Sequence, residues 1–382
     1  MSAAMLRLLP FLILIPAILF GGHYFLYRSI ASFFNLAGGK IKVSLFAALF
    51  ALPLIFLAVF SLSHFIHSAA VNLLYVLAVS WLAVFVNLLM AAGVIWTFSS
   101  LIKLTGINFN ILVFSAGIFS IAIIFSAHGF WNAFHPQIKN IDVSIKNLPT
   151  QWQGKTMIQL SDVHLGQVHN PAFMQMVADK VNTQNPDLIL ITGDLFDGMD
   201  GNLDNFIGPL NSLRAKRGIF FVTGNHETYL GIDEVLRVLS QTGIRVLNNE
   251  KIDLDGLQIV GLAYPGADDS AGFLGNIKNE SALINSLNID KSRPSILMYH
   301  APANIDQAQA GGIDLQLSGH AHRGQIWPFG VFTWLAYGQY HYGLNTAHTL
   351  GDISVYTSAG VGTWGPPMRT GNTPEIPVFR LK

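Results

Sequence analysis

Two hydrophobic rhythms divide the chain. Up to about residue 130 the apolar positions run almost unbroken, in stretches near 7–27, 43–64, 70–97 and 109–130. Each reaches the roughly 20 residues that a bilayer-spanning helix needs. Lys and Arg fall only in the breaks or just before the first stretch. The third stretch is long, and Gly93 and Ser99–Ser100 mark a tilted end or an interfacial turn. A cleavable signal peptide would account for the first stretch only. That stretch has one basic residue and no small-x-small site beside a polar flank, and three more follow it. A buried soluble bundle would show polar faces, which are missing.

After residue 155 the rhythm changes. Short apolar runs at 156–160, 187–192, 218–223, 257–262, 295–299, 314–318 and 353–356 predict strands. Helical spacing over 171–183 and 233–242 predicts helices, the first opening at Pro171. Strand patterns dominate from about residue 250. Between the two regimes, residues 131–155 form a polar passage with Pro136 and Pro149, in which 138–145 alternate as a half-buried strand would. The expected architecture is an all-α transmembrane bundle of about four helices over 1–130, a linker with the first strand of the soluble domain over 131–155, and an α/β domain over 156–382. In that last domain two sheets form a β-sandwich flanked by helices.

Charge sharpens this division. No Asp or Glu precedes Asp142, and six of the 22 basic residues do, which leaves 16 basic against 22 acidic residues from there on, a formal charge of −6. That sign excludes nucleic acid as the main partner, since a phosphate backbone calls for a basic face. It suits a site whose carboxylates are offset by cations. With no cysteine in the chain, disulfides are excluded and any metal must sit on nitrogen and oxygen donors. With four spans, Arg7, Lys139 and Lys146 share one side and Arg28, Lys40, Lys42 and Lys103 the other, so the positive-inside rule leans towards an extracytoplasmic second domain. His23, His64, His67 and His128 lie near predicted helix ends, where interfacial anchoring or capping explains them.

The chemistry sits at the ends of the predicted strands. Five of them run directly into Asp, Asn or His: Asp162-Val163-His164, Gly193-Asp194, Gly224-Asn225-His226-Glu227, His300, and Gly319-His320-Ala321-His322. Any one of these could be turn chemistry. As an ordered set they describe one metal centre at the strand ends of a sheet domain. A carboxylate can bridge two cations, imidazoles complete each shell, and the glycines before the ligands keep a Cβ out of the turn or the incoming phosphate. His320 and His322, two apart in an extended segment, would project to one face. Asn225 beside His226 implies one amide oxygen on a metal and one imidazole left free. His169, His341 and His348 lack such support and read as surface or pocket residues.

The order Asp-x-His, Gly-Asp, Gly-Asn-His-Glu, lone His, Gly-His-x-His resembles the calcineurin-like metallophosphoesterase superfamily. Leu160-Ser161-Asp162-Val163-His164-Leu165-Gly166, Gly319 to Gln325 and the tail Gly362 to Arg369 resemble its membrane-associated bacterial branch, phosphodiesterases of the YkuE/YaeI type and relatives acting on UDP-diacylglucosamine. The resemblance covers about residues 138–382. It implies that Asp162, His164 and His322 hold one divalent ion, that Asn225, His300 and His320 hold the other, and that Asp194 bridges both. His226 would act as general acid or stabilise the transition-state oxygens, and Glu227 would orient a ligand. Two such ions, Mn, Fe, Zn or Co, would sit about 3.5–4 Å apart and support in-line attack by a bridging hydroxide. Where the branch commonly carries Gly after the last ligand His, this chain has Arg323. Arg323 and Arg369 are candidates for holding substrate phosphate. The function expected is hydrolysis of a phosphodiester or pyrophosphate, on a lipid-linked substrate, by an enzyme of the bacterial plasma membrane with the bilayer as its partner. The competing reading is a transporter or receptor with a regulatory metal domain, but the bundle offers no acidic residue for an ion path.

Overall fold

The computed structural model describes residues 3–66, 68–198, 202–265, 280–347 and 353–382. The chain forms two compact units, Met1–Phe130 and Trp131–Lys382.

The described residues of the first unit form helices α1 (Ala3–Phe33), α2 (Lys40–Ser63), α3 (Ala69–Thr105) and α4 (Ile111–Ala133), the last of which ends in the second unit. Among the described residues α2, α3 and α4 are long and apolar enough to cross a membrane. The sequence pattern places an interfacial turn near Gly93 and Ser99–Ser100, but α3 passes straight through. The Ser99 hydroxyl donates to the Ile95 carbonyl one turn back, and the helix stops only at Gly106, whose left-handed backbone caps it. Its 37 residues exceed the roughly 20 a bilayer requires. His23 does not anchor a helix end. It lies well inside α1, its Nδ1 on the Leu19 carbonyl, while Trp81 donates to its Nε2 at 3.0 Å. His64 does sit at the end of α2, bonded to the Phe60 carbonyl. His67 lies outside the described residues.

Among the described residues twelve strands build the second unit: β1 (Gln137–Val143), β2 (Thr156–Leu160), β3 (Leu188–Thr192), β4 (Ile219–Val222), β5 (Ile244–Val246), β6 (Glu250–Leu254), β7 (Leu257–Gly261), β8 (Ser295–Met298), β9 (Leu315–Ser318), β10 (Gly343–Ala347), β11 (Ile353–Thr357) and β12 (Glu375–Leu381). They form two six-stranded mixed sheets, ordered β1-β12-β2-β3-β4-β5 and β10-β11-β9-β8-β7-β6. The helices are α5 (Pro171–Asn182), α6 (Ile207–Asn211), α7 (Asn225–Leu230), α8 (Ile232–Leu239), α9 (Glu280–Ser286), α10 (Ile305–Ala310) and α11 (Gly330–Tyr337).

Side-chain alternation explains the layering. On β2, β3 and β4, Met157, Leu190 and Phe220 pack into the layer that also holds Ile259, Ile296 and Leu317 of the second sheet. Their neighbours Ile158, Ile191 and Phe221 join Val177 of α5 and Val235 of α8 in a separate core. Both faces are covered, so these strands read as continuous apolar runs. Neighbours β2, β3 and β4 are parallel, as are β7, β8 and β9, and their carboxyl ends therefore fall along one edge. Ligand sites in parallel sheets gather at that edge. Gln159 links the sheets just beneath it, donating to Thr192 Oγ1 at 2.8 Å and the Ser318 carbonyl at 2.9 Å.

Candidate metal centre

Each strand end turns its polar residue inward through unusual backbone. Asp162, His164, Asp194, His320 and His322 all have positive φ, between +47° and +65°. Side chains other than glycine visit this region rarely, at a cost of order 1–3 kcal/mol each. Five such residues clustered at one sheet edge indicate that the surrounding fold enforces them. Close approach of the strand ends also accounts for two glycines. A Cβ on Gly224 would strike the Asp194 carboxylate, and one on Gly319 would strike Ser161 Oγ and Asp162 Oδ2.

The donors converge into overlapping groups. Asp162, His164 and His322 bring ligand atoms together, and so do Asp194, His300 and His320, while Asp194 also groups with His164 and His226. His164 Nε2 lies 3.0 Å from His322 Nε2, which is 3.3 Å from Asp162 Oδ1. In the second group His300 Nε2 stands 3.0 Å from Asp194 Oδ2 and 3.2 Å from His320 Nδ1. His300 Nδ1 donates to the Thr192 carbonyl at 2.8 Å, which fixes its tautomer and turns Nε2 to the site. His320 and His322 were expected to share one face of an extended segment. Their positive φ values curl the chain instead, and the two imidazoles join different groups.

Electrostatics matches a cation site. Burial alone would raise the Asp194 carboxyl, but His300, His226 and His164 outweigh it and hold that group well below the ordinary carboxylate range. Burial lowers the His300 imidazole, yet Asp194 and Asp162 push it up to about 9. Burial raises Asp162, with Asp194 adding to it and His300 opposing. Without cations, protons must offset these buried carboxylates. The polar atoms agree: Asn225 Oδ1 is buried with no hydrogen-bond partner. An all-nitrogen-and-oxygen donor set with such an orphan fits divalent metals.

Neighbouring carboxylates hold this arrangement. Glu227 accepts from the backbone N–H of Asp194, Phe196 and Gly224 at 2.7–3.1 Å, tying the β3 and β4 turns together. Burial, then Asp194, raises its carboxyl to about 7. Asp197, which the sequence pattern did not single out, reaches two site histidines. Its carbonyl accepts from His226 Nδ1 at 2.5 Å, and its Oδ1 lies 3.3 Å from His164 Nδ1. The available signal was a second Asp three residues beyond Asp194.

Residues 155–324 match the profile of the calcineurin-like phosphoesterases. A metallophosphoesterase of Campylobacter jejuni is 36% identical over 249 residues, 65% of this chain and 63% of that protein. The metallophosphoesterase YkuE of Bacillus subtilis is 30% identical over 256 residues, 64% of this chain and 86% of YkuE. The chain belongs to the calcineurin-like metallophosphoesterases. A transmembrane protein with a metallophosphoesterase domain from Danio rerio is 30% identical over 283 residues, 69% of this chain and 61% of that protein. The chain thus spans less than two thirds of the Campylobacter and Danio rerio relatives.

In this metallophosphoesterase the two candidate phosphate-binding arginines stand apart. Arg323 is exposed and stacks 4.2 Å over the Tyr342 ring. Arg369 was expected at the substrate but is fully buried. Its guanidinium donates to the carbonyls of Ala359 and Gly362, with Nη2 3.2 Å from His322 Nδ1. It therefore braces His322 and the loop after β11. His169 is likewise interior and not at a surface or pocket: its Nε2 accepts from Thr363 N at 2.9 Å, and burial pulls its imidazole down to about 3. His341 is half-buried, 3.3 Å from Thr333 Oγ1. His348 lies outside the described residues.

Over the donors lies a cleft of about 530 Å³, within the usual range for small-molecule sites. Asp194, Asn225, His226, His320 and His322 line its polar part, and Tyr264, Phe329, Phe332, Tyr337 and Trp364 its largely apolar walls.

Proposed function

We propose that this chain is a bilayer-anchored dimetal phosphoesterase that hydrolyses a phosphodiester or pyrophosphate bond of a lipid-linked substrate. The observation that carries the reading is a pair of donor groups at one cleft, Asp162 with His164 and His322 and Asp194 with His300 and His320, linked where Asp194 also groups with His164. Asp162, His164 and His322 would hold one cation, Asn225, His300 and His320 the other, with Asp194 between them. Nitrogen and oxygen donors accept Mn, Fe, Zn or Co. Two cations bound there would neutralise phosphoryl oxygens and lower the pKa of a water.

The protein's own contribution is orientation. Asp197 holds the His226 Nδ1 proton, so the other ring nitrogen is the one available for chemistry on this cleft-lining residue. Burial holds His226 below the ordinary imidazole range, with Asp194 pulling the other way. An arriving phosphoryl group would raise it, as any nearby anion does, and equip it to donate a proton to the leaving oxygen or to stabilise the transition-state oxygens. The apolar walls support a substrate with a hydrocarbon part, and the three apolar helices α2, α3 and α4 support a site held at a membrane. In a bacterial plasma membrane, loop charge favours the second unit on the extracytoplasmic side.

The test is hydrolysis of an aryl phosphodiester by the purified full chain, with divalent ions restored. Turnover should appear, and Asp194→Asn and His226→Ala should each lower kcat by about 10² or more. Unchanged turnover in both variants would remove the assignment.

A further inference from the structure

The second unit exposes its tryptophans. Of its five, only Trp152 is buried, while Trp131, Trp327, Trp334 and Trp364 leave between 55% and 59% of their surface exposed. Single exposed apolar residues are ordinary, but several tryptophans set around one loop are not. Trp131, Trp327 and Trp364 stand at one loop, and Trp334 lies on the helix that follows Trp327. Trp364 and Gln325 exchange hydrogen bonds at 2.9 and 3.1 Å. Trp327 N donates to Thr370 Oγ1 at 3.2 Å, and Gly371 N to the Gln325 carbonyl at 3.0 Å. Asn132, beside Trp131, donates to the carbonyls of Arg369 and Asn372, both at 2.9 Å. The point where the chain leaves apolar helix α4 to enter this unit and the segment leading into α11 therefore rest on one loop, 364–372.

Helix α11 has no buried residue. Phe329 just before it, then Phe332, Thr333 and Ala336, at helical spacing, line the cleft. Val331, Trp334 and Leu335 on its other side do not line it and are 56–67% exposed. A surface helix in water carries polar residues on its outer side, and this one carries none. Charge points the same way. From Gly319 to Pro374 the sequence has a single carboxylate, Asp352, against Arg323 and Arg369, although the region from Asp142 onward is net acidic. A surface poor in carboxylates and rich in Trp suits the headgroup layer of a membrane that carries anionic lipid.

We propose that α11 and the tryptophans around it dock into the interfacial layer of the bilayer, so that the metal-centre cleft opens towards lipid. This rests on the reading of the chain as a membrane-anchored phosphoesterase and deepens it. The hydrocarbon part of a lipid substrate would then reach the Phe329 and Phe332 wall without crossing water.

The cysteine-free chain allows a direct test. Full-length Leu335→Cys, labelled with an environment-sensitive fluorophore, is placed in nanodiscs of phosphatidylcholine and phosphatidylglycerol, some of them carrying nitroxide-labelled lipid. Gln241→Cys, exposed beyond α8, serves as the reference. The 335 probe should shift to the blue and be quenched by the nitroxide lipid, and the 241 probe should do neither. Adding Trp334→Glu should weaken the quenching at 335 while aryl phosphodiester hydrolysis stays as it was. Equal quenching at 335 and 241 would overturn the proposal. So would a 335 probe shielded from aqueous iodide but untouched by nitroxide lipid, the signature of a second copy covering this face. Failure of the unmodified chain to hydrolyse anything would sink the enzymatic reading and leave the fluorescence result standing.

Discussion

At the scale of residues, the centre concentrates two costs that a merely structural edge would avoid. Five of its side chains sit on left-handed backbone, and two carboxylates lie buried beside each other. Cations relieve the second of these by replacing protons. His300, pushed up to about 9 by Asp194 and Asp162 against its burial, is protonated at neutral pH in the metal-free protein. It must lose that proton to become a ligand. The sign follows: cation affinity should rise with pH towards 9 and level off above it. Loading near pH 7.5 should release about one proton from this residue. Calorimetric titrations of Mn in buffers of different ionisation enthalpy read this directly, and buffer-independent heats would contradict it.

At the scale of elements, parallel strands supply the donors and one irregular loop locks them. Residues 358–372 after β11 fold around Arg369, whose guanidinium satisfies the Ala359 and Gly362 carbonyls and the Asn372 side chain while touching His322. Burial is the main reason that this guanidinium falls to about 10. Removing it would strand buried carbonyls, each worth about 1–3 kcal/mol. Arg369→Met should therefore lower stability by roughly 3 kcal/mol and also weaken metal binding through His322. Arg369→Lys should fail to rescue either property, because one ammonium cannot replace a planar fork. Thermal unfolding and Mn titration of the two variants check this. A wild-type melting temperature for Arg369→Met would show that the loop holds without it.

For the whole molecule, an apolar helical unit and a metallophosphoesterase unit share one chain, and in a membrane, sidedness would decide which substrates the cleft can meet. If all of α1 to α4 span, both termini lie on one side, with Arg7, Lys139 and Lys146 there against Arg28, Lys40, Lys42 and Lys103 opposite. The excess of loop charge belongs in the cytoplasm, which leaves the second unit outside it. A C-terminal alkaline phosphatase fusion, active only when exported, should report activity. A fluorescent fusion that matures only in the cytoplasm should stay dark, and the reverse pattern would place the cleft inside.

The candidate ligand residues were legible because each follows a short apolar run that already marks a strand, so Asp162, Asp194, Asn225, His300 and His320 could be read as strand-end groups one at a time. The apolar stretches of the first unit were equally plain, since lipid imposes a length on each helix that local composition reveals. Other features depended on contacts between distant parts of the chain. His164 meets His322 across 158 positions, and the left-handed turn that sends His320 and His322 to different groups is enforced by packing, which no local spacing encodes. Arg369 looked like a phosphate ligand and is an internal brace, while Asp197, which the sequence pattern did not single out, accepts from His226 and lies 3.3 Å from His164. Composition shows that α11 is apolar. Only the folded chain decides that one side of it walls the cleft while the other stays exposed among the described residues.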